Sequence, residues 1–203
     1  GNELVARADP DGHTLLMGTL SMATLPPFMK VPWHPTKDFA GVAMVGQVPN
    51  LVVTPATLEP KTLREFVAYA KARPGQLNFA NGGNGTSPTL GVELLRKHTG
   101  MQLTSVGYKG FPPVIPDMIA GRIEFSMVPF AVAAPHVKSG KLRALAIASN
   151  SRSRLLPDVP TIEEAGGPAF KGFEASSGFG LLAPAGTPPE IISRIQQEAA
   201  KSL

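Results

Sequence analysis

Short apolar runs alternate with amphipathic segments along this chain, and a proline or glycine break separates almost every pair. Glycine and proline each occur 21 times among 203 residues. They are the strongest local punctuators of structure, so no element here can run long. "HTLLMGTL", "FAGVAMVGQV" and "PNLVVTP" read as buried strands. "KTLREFVAYAKARPG" reads as a helix: Leu63, Phe66, Val67 and Ala70 fall at i, i+3, i+4 and i+7, Thr62 and Glu65 make a capping box, and Pro74-Gly75 ends it. The same order repeats to the end of the sequence. "QLNFA", "LTSVGY", "IEFSMV", "LRALAIAS" and "SGFGLLAP" are strands, separated by helices opening near Ser87, Val114, Phe130 and Thr161. A last helix follows Thr187, where Thr187 and Glu190 repeat the capping pattern. Short strands and helices in repeated strand–helix order predict an α/β fold with largely parallel sheets.

Two stretches echo one another. "NLVVTPATLEPKTLREFVAYA" and "FGLLAPAGTPPEIISRIQQEA" share a strand, a proline, a short loop, a Thr-x-x-Glu cap and an amphipathic helix. Two equivalent exits suggest two similar lobes, the first made of residues 1–52 and 178–203 and the second of 53–177. Strands crossing between lobes would create a cleft, where α/β proteins usually bind ligands.

Composition excludes several classes of function. A hydrophobic share of 43% with 17% charged residues is that of a folded globular chain. No run of about 18 apolar residues is present to span a bilayer. Without cysteine there are no disulfides, thiolate metal sites or cysteine nucleophiles. His13, His34, His98 and His136 lack metal-ligand spacing. No G-x-S-x-G or Walker-type loop occurs, and Glu93 and Asp117 read as ordinary helix residues, so neither catalytic residues nor cofactors are expected. The net charge is +4, yet lysine and arginine are scattered and aromatics make up 6%, which argues against a nucleic-acid partner. The opening "GNELVARADPDG" has no basic-then-apolar leader, and Leu4, Val5 and Ala8 look like the end of an amphipathic helix, so the chain reads as a fragment cut at both ends.

The most distinctive stretch is "FANGGNGTSPTLGVELL", residues 79–95. A strand runs into Gly82, Gly83, Asn84 and Gly85, then Thr86, and then Ser87 and Pro88 as the N-cap and first residue of a helix. Three readings stand. Gly83 to Pro88 falls one residue short of G-x-G-x-x-G, with Pro88 in the third glycine's place and Lys109, not an acid, after the next strand. A plain structural turn is the second. The third is an anion site, built from backbone N–H groups with the Thr86 and Ser87 hydroxyls. "GYKGFPP" offers similar geometry, and there Tyr108, Lys109 and Gly110 add a hydroxyl, a charge and a flexible backbone.

Taken in order, "ADPDGHTLLMGT", "PTKDFAGVAMVGQVPNLVV", "LNFANGGNGTSPTLGVELL", "GYKG", "MIAGRIEFSM", "PHVKSGKLRALAIAS", "RSRLLPDVPTIEEAG" and "GFEASSGFGLLAPAGTP" resemble the Bug-type periplasmic solute-binding proteins of tripartite tricarboxylate transporters. The resemblance covers essentially the whole chain. It implies a two-lobed, Venus-flytrap periplasmic binding protein of type II, here truncated. Such a protein is exported under a signal peptide absent from this chain, is not an enzyme, and passes a small carboxylate to a membrane permease. A sensor module feeding a signalling system, or a dinucleotide-binding enzyme, is the alternative. By resemblance, the ligand site maps onto Gly82, Gly83, Asn84, Gly85, Thr86 and Ser87, onto Tyr108, Lys109 and Gly110, and onto Thr19 and Ser21 of the first lobe. Val128 stands where relatives commonly carry an aspartate. Met22, Leu25, Thr89 and Phe111-Pro112-Pro113 also depart from the family pattern. Each departure points to a more apolar cleft and a carboxylate without an amino group. A strand missing from the first lobe would leave a sheet edge open to a second copy.

Overall fold

The computed structural model describes residues 1–202. The chain divides into two compact units, Gly1–Gln47 with the stretch from Gly178 onward, and Val48–Ser177.

In the second unit, β3 (Asn50–Pro55) is buried at every position. It lies between β6 (Ser126–Pro129) and β7 (Leu142–Ile147) and is antiparallel to both. Residues 48–52, assigned to the first lobe from the sequence, therefore fall in this unit, because they lead into and form the central strand of its sheet. β4 (Asn78–Asn81) pairs in parallel with β5 (Thr104–Gly107), and a parallel bridge from Phe79 to Phe125 links β4 to the residue preceding β6. Four strands thus run one way and β3 runs against them. Within this unit the expected parallel arrangement fails only at β3. A strand buried on both faces shows a continuous apolar run whichever way it points.

Side chains alternate across β3, so the strand faces two cores. Val52 packs with Phe66, Phe79, Val92, Leu95 and Phe125. Leu51 and Val53 pack on the other side with Val114, Met118, Ile123 and Val128. Helices α3 (Leu63–Lys71) and α4 (Ser87–Thr99) cover the first face, and α5 (Val114–Ile119) and α6 (Phe130–Lys138) cover the second. Phe66 and Phe125 stack with ring centroids 4.5 Å apart and planes 12° from parallel. The predicted capping boxes form in full at one helix and in half at α3, where the Glu65 carboxylate accepts from Lys61 N–H at 2.7 Å in place of Thr62 N–H. Glu65 N–H donates to Thr62 Oγ1 at 3.2 Å. At α7 (Ile162–Gly166) both halves of the box form, Glu164 N–H to Thr161 Oγ1 at 3.1 Å and Thr161 N–H to Glu164 Oε2 at 2.8 Å.

The first unit holds a three-stranded sheet ordered β1 (Leu16–Thr19), β8 (Ser177–Pro184), β2 (Phe39–Val48), with β1 antiparallel to β8. Val5 of α1 (Asn2–Ala6), Met22 of α2 (Ser21–Thr24) and Phe39 form its small core with Leu16, Trp33 and Leu182. The final helix, α8 (Pro189–Ser202), has no buried residue among those described. Here the expected cap does not form: the Thr187 hydroxyl donates to the Pro184 carbonyl at 2.8 Å, and the Ile191 and Ile192 amides bond to Pro188. Among the described residues no helix is long and apolar enough to cross a membrane.

Candidate functional site

Two loops leave the C-terminal ends of neighbouring parallel strands, residues 82–86 after β4 and 108–113 after β5. They are fastened to each other through the backbone. Tyr108 N–H donates to the Asn81 carbonyl at 2.8 Å and Gly110 N–H to the Gly82 carbonyl at 3.1 Å. Gly82 is buried, and a Cβ there would run into the Phe111 ring, so the absent side chain is what lets the second loop close on the first. Gly83 and Gly85 take φ of 137° and 72°, which only glycine adopts readily and which bends the chain into the helix.

Asn81 organises this turn. Its Oδ1 accepts from Gly83 N–H at 2.9 Å and from the Thr89 hydroxyl at 3.1 Å, while its Nδ2 donates to Asn84 Oδ1 at 3.3 Å. The sequence reading passed over Asn81, although an asparagine at a strand end before Gly-Gly is a turn signal in itself. The helix N-cap is Thr86, not Ser87, and Pro88 is the second helical residue. Pro88 has no N–H, and Leu90 N–H is taken by the Thr86 carbonyl at 2.9 Å. The helix start can therefore offer at most the Ser87 and Thr89 amides to an anion.

The hydroxyls are largely committed within the protein. Thr86 Oγ1 lies 2.9 Å from both the Gly83 carbonyl and Thr89 Oγ1. Ser87 Oγ donates to the Ser176 carbonyl at 2.9 Å and accepts from Asn50 Nδ2 at 3.2 Å. Tyr108 OH donates to Asp117 Oδ2 at 2.7 Å, and Arg122 pairs with Asp117 Oδ1 at 2.8 Å. Asp117 is thus more than the ordinary helix residue its sequence suggested. The Tyr108 bond first, and Arg122 second, hold its carboxyl below the usual range. Burial, followed by the bond to Asp117, pushes the Tyr108 phenol up to about 12. Lys109 is exposed and makes no ion pair among the described residues. With Gly110, at φ of 90°, it forms the tip of the second loop.

Gly82 to Ser87 and Tyr108 to Gly110 are therefore brought together within the second unit. Thr19 is exposed at the end of β1 and Ser21 opens α2, both in the first unit. Val128 is 0% exposed and sits in the interior opposite Leu51. Met22 and Phe111 are 7% exposed and belong to cores. These three side chains pack inward, so the apolar character expected to face a ligand goes into core packing instead. No group of three or more histidine or acidic side chains among the described residues could hold a metal ion.

The family model described as "Tripartite tricarboxylate transporter family receptor" matches residues 1–203. Protein BugT of Bordetella pertussis is 35% identical over 209 residues, covering 100% of this chain and 62% of BugT. An R. palustris protein solved with adipate superposes with a TM-score of 0.89 at 31% identity, over 98% of this chain and 66% of that one. MatC of Rhodopseudomonas palustris, solved with bound malate, gives a TM-score of 0.86 at 32% identity, over 99% and 68%. The chain spans about 60% of the length of the curated relatives it matches.

Proposed function

Because this chain belongs to the tripartite tricarboxylate transporter receptor family, we propose that it acts as a periplasmic solute-binding protein, capturing a small carboxylate for membrane permease subunits. The observation that carries this reading is the pair of loops at the ends of β4 and β5. One loop leads into the start of a 13-residue helix and the other carries Lys109, which makes no ion pair among the described residues, and backbone bonds to Asn81 and Gly82 lock the two loops into one frame. A helix N-terminus favours negative charge, and N–H groups suit carboxylate oxygens. Charge-assisted bonds of this kind are worth about 1.5–3 kcal/mol each.

Adipate and malate, found with the two structural neighbours, are dicarboxylates without an amino group. That chemistry suits a site offering amides and one cation. The positions left for a ligand are Asn84 and Lys109 with the first helical amides, because Gly83 N–H already donates to Asn81 and the Ser87 and Tyr108 hydroxyls already have partners. The dinucleotide reading loses support at Pro88, which stands where a third glycine would let the helix approach its strand.

A thermal-shift series with malate, adipate, aspartate and a nicotinamide dinucleotide tests the proposal. A carboxylate at about 100 times its dissociation constant stabilises by roughly 2.7 kcal/mol. Malate or adipate raising the melting temperature, with aspartate weaker, is the expected result. A shift with the dinucleotide alone overturns it.

A further inference from the structure

The side chain of Asn50 is wholly buried at the first position of β3, two residues after the chain enters the second unit at Val48. Its Nδ2 donates to the Ala175 carbonyl and, at 3.2 Å, to Ser87 Oγ. Ser87 Oγ passes the connection on, donating to the Ser176 carbonyl at 2.9 Å. Ala175 and Ser176 lie just before the chain leaves the second unit between Ser177 and Gly178. The main chain repeats the tie: Ala148 N–H donates to the Asn50 carbonyl at 2.8 Å, and Ala175 N–H to the Ala148 carbonyl at 3.1 Å. The entering segment, the leaving segment and the first residue of α4 are therefore gathered on one buried amide.

The arrangement is costly to maintain. Asn50 Oδ1 is buried with no hydrogen-bond partner among the described residues, and an unpaired buried acceptor loses its hydration without return. The orientation of the amide is nonetheless determined. Turning it over would set its oxygen against the Ala175 carbonyl and leave Ser87 Oγ, whose own proton goes to Ser176, without its donor. A stiff, polar, directional joint has been built where apolar packing would have served the sheet alone.

We infer that Asn50 and Ser87 are positioning residues that couple the 82–87 turn to both segments where the chain crosses between the units. A ligand held at the start of α4 pulls on Ser87. The pull reaches residues 48–50 through the Asn50 amide and residues 175–177 through the Ala175 and Ser176 carbonyls. This rests on the carboxylate-binding reading for the identity of the ligand, but the mechanical link exists without one.

Asn50→Ala and Ser87→Ala test the link in two measurements. In hydrogen exchange without ligand, either variant speeds exchange together over 48–50, 87–90 and 174–177, by about tenfold. Exchange that changes only beside the substituted residue overturns the coupling. Ser87→Ala keeps this arm decisive if Asn50→Ala does not fold, since it leaves the bond to Ala175 in place. The second measurement pairs calorimetry with fluorescence, using malate and adipate as probes. Trp33 is the only tryptophan and lies in the first unit, away from the turn in sequence. The wild type is expected to change Trp33 emission on binding. Asn50→Ala loses that change per bound ligand, while its affinity falls by no more than roughly tenfold. An unaltered response per bound ligand overturns the coupling. If neither probe binds the wild type, the carboxylate reading fails and hydrogen exchange alone decides the link.

Discussion

The Tyr108 hydroxyl donates to Asp117 Oδ2 at 2.7 Å, and Arg122 holds the other oxygen of the same carboxylate at 2.8 Å. The second loop is thereby anchored to α5 and to the turn that follows it. Tyr108→Phe should loosen the loop and change malate or adipate affinity less than Lys109→Ala does, as isothermal titration would show. The pH dependence carries a sign. A phenol raised from 10.0 to about 12 in the folded state contributes stability that is fully present below pH 10 and lost as pH rises through about 12. The stability gap between wild type and Tyr108→Phe, followed by urea midpoints, should narrow across that window.

Lys109 stands at the loop tip with no carboxylate partner among the described residues. Lys109→Ala should weaken carboxylate binding by about three- to tenfold at low ionic strength, with the deficit shrinking in high salt as screening takes over. Lys109→Glu should bind more weakly still. Titrations at two salt concentrations check both statements, and an affinity indifferent to residue 109 would remove the lysine from the site.

Gly82 and Phe111 share one space. Gly82→Ala forces the ring or the backbone aside, a cost of about 1–3 kcal/mol by the usual scale of overpacking. Phe111→Leu in the same chain should recover part of that loss. A double-mutant cycle in chemical denaturation measures the coupling, and strictly additive effects would contradict the contact.

The stacked pair Phe66 and Phe125 lies in the interior of the second unit, each 0% exposed. Phe125→Ala should destabilise by about 3–5 kcal/mol, among the larger single-residue losses. Equilibrium unfolding followed by circular dichroism tests this.

Much of the architecture is legible in the sequence because the elements are bounded by their own punctuation. The run Phe39–Val48 is a strand over its whole quoted length, and Thr161 with Glu164 caps its helix as spacing predicts. What escapes reading is long-range. The direction of β3 leaves no trace in a run of apolar residues. Thr187 has a capping residue's spacing but turns its hydroxyl back to Pro184. At the site, the glycines announce a turn, while its organisers do not. Asn50 meets Ser87 and Ala175 across 37 and 125 positions, distances over which no local pattern operates. Val128 shows the reverse error: residue correspondence assigned it to a ligand surface, and burial assigns it to packing. Motif resemblance identified the family; the physical reading alone left the turn open among three uses.

The central place of β3 also bears on how the protein comes into being. It is the first strand of its unit along the chain, yet both of its neighbours, β6 and β7, arrive late. Pairing so distant in sequence is slow to close. Until Pro129 has emerged, Leu51, Val52 and Val53 form an apolar ribbon with neither sheet neighbour to join. A nascent chain must therefore carry its future centre uncovered, a segment for a chaperone to protect and for aggregation to exploit.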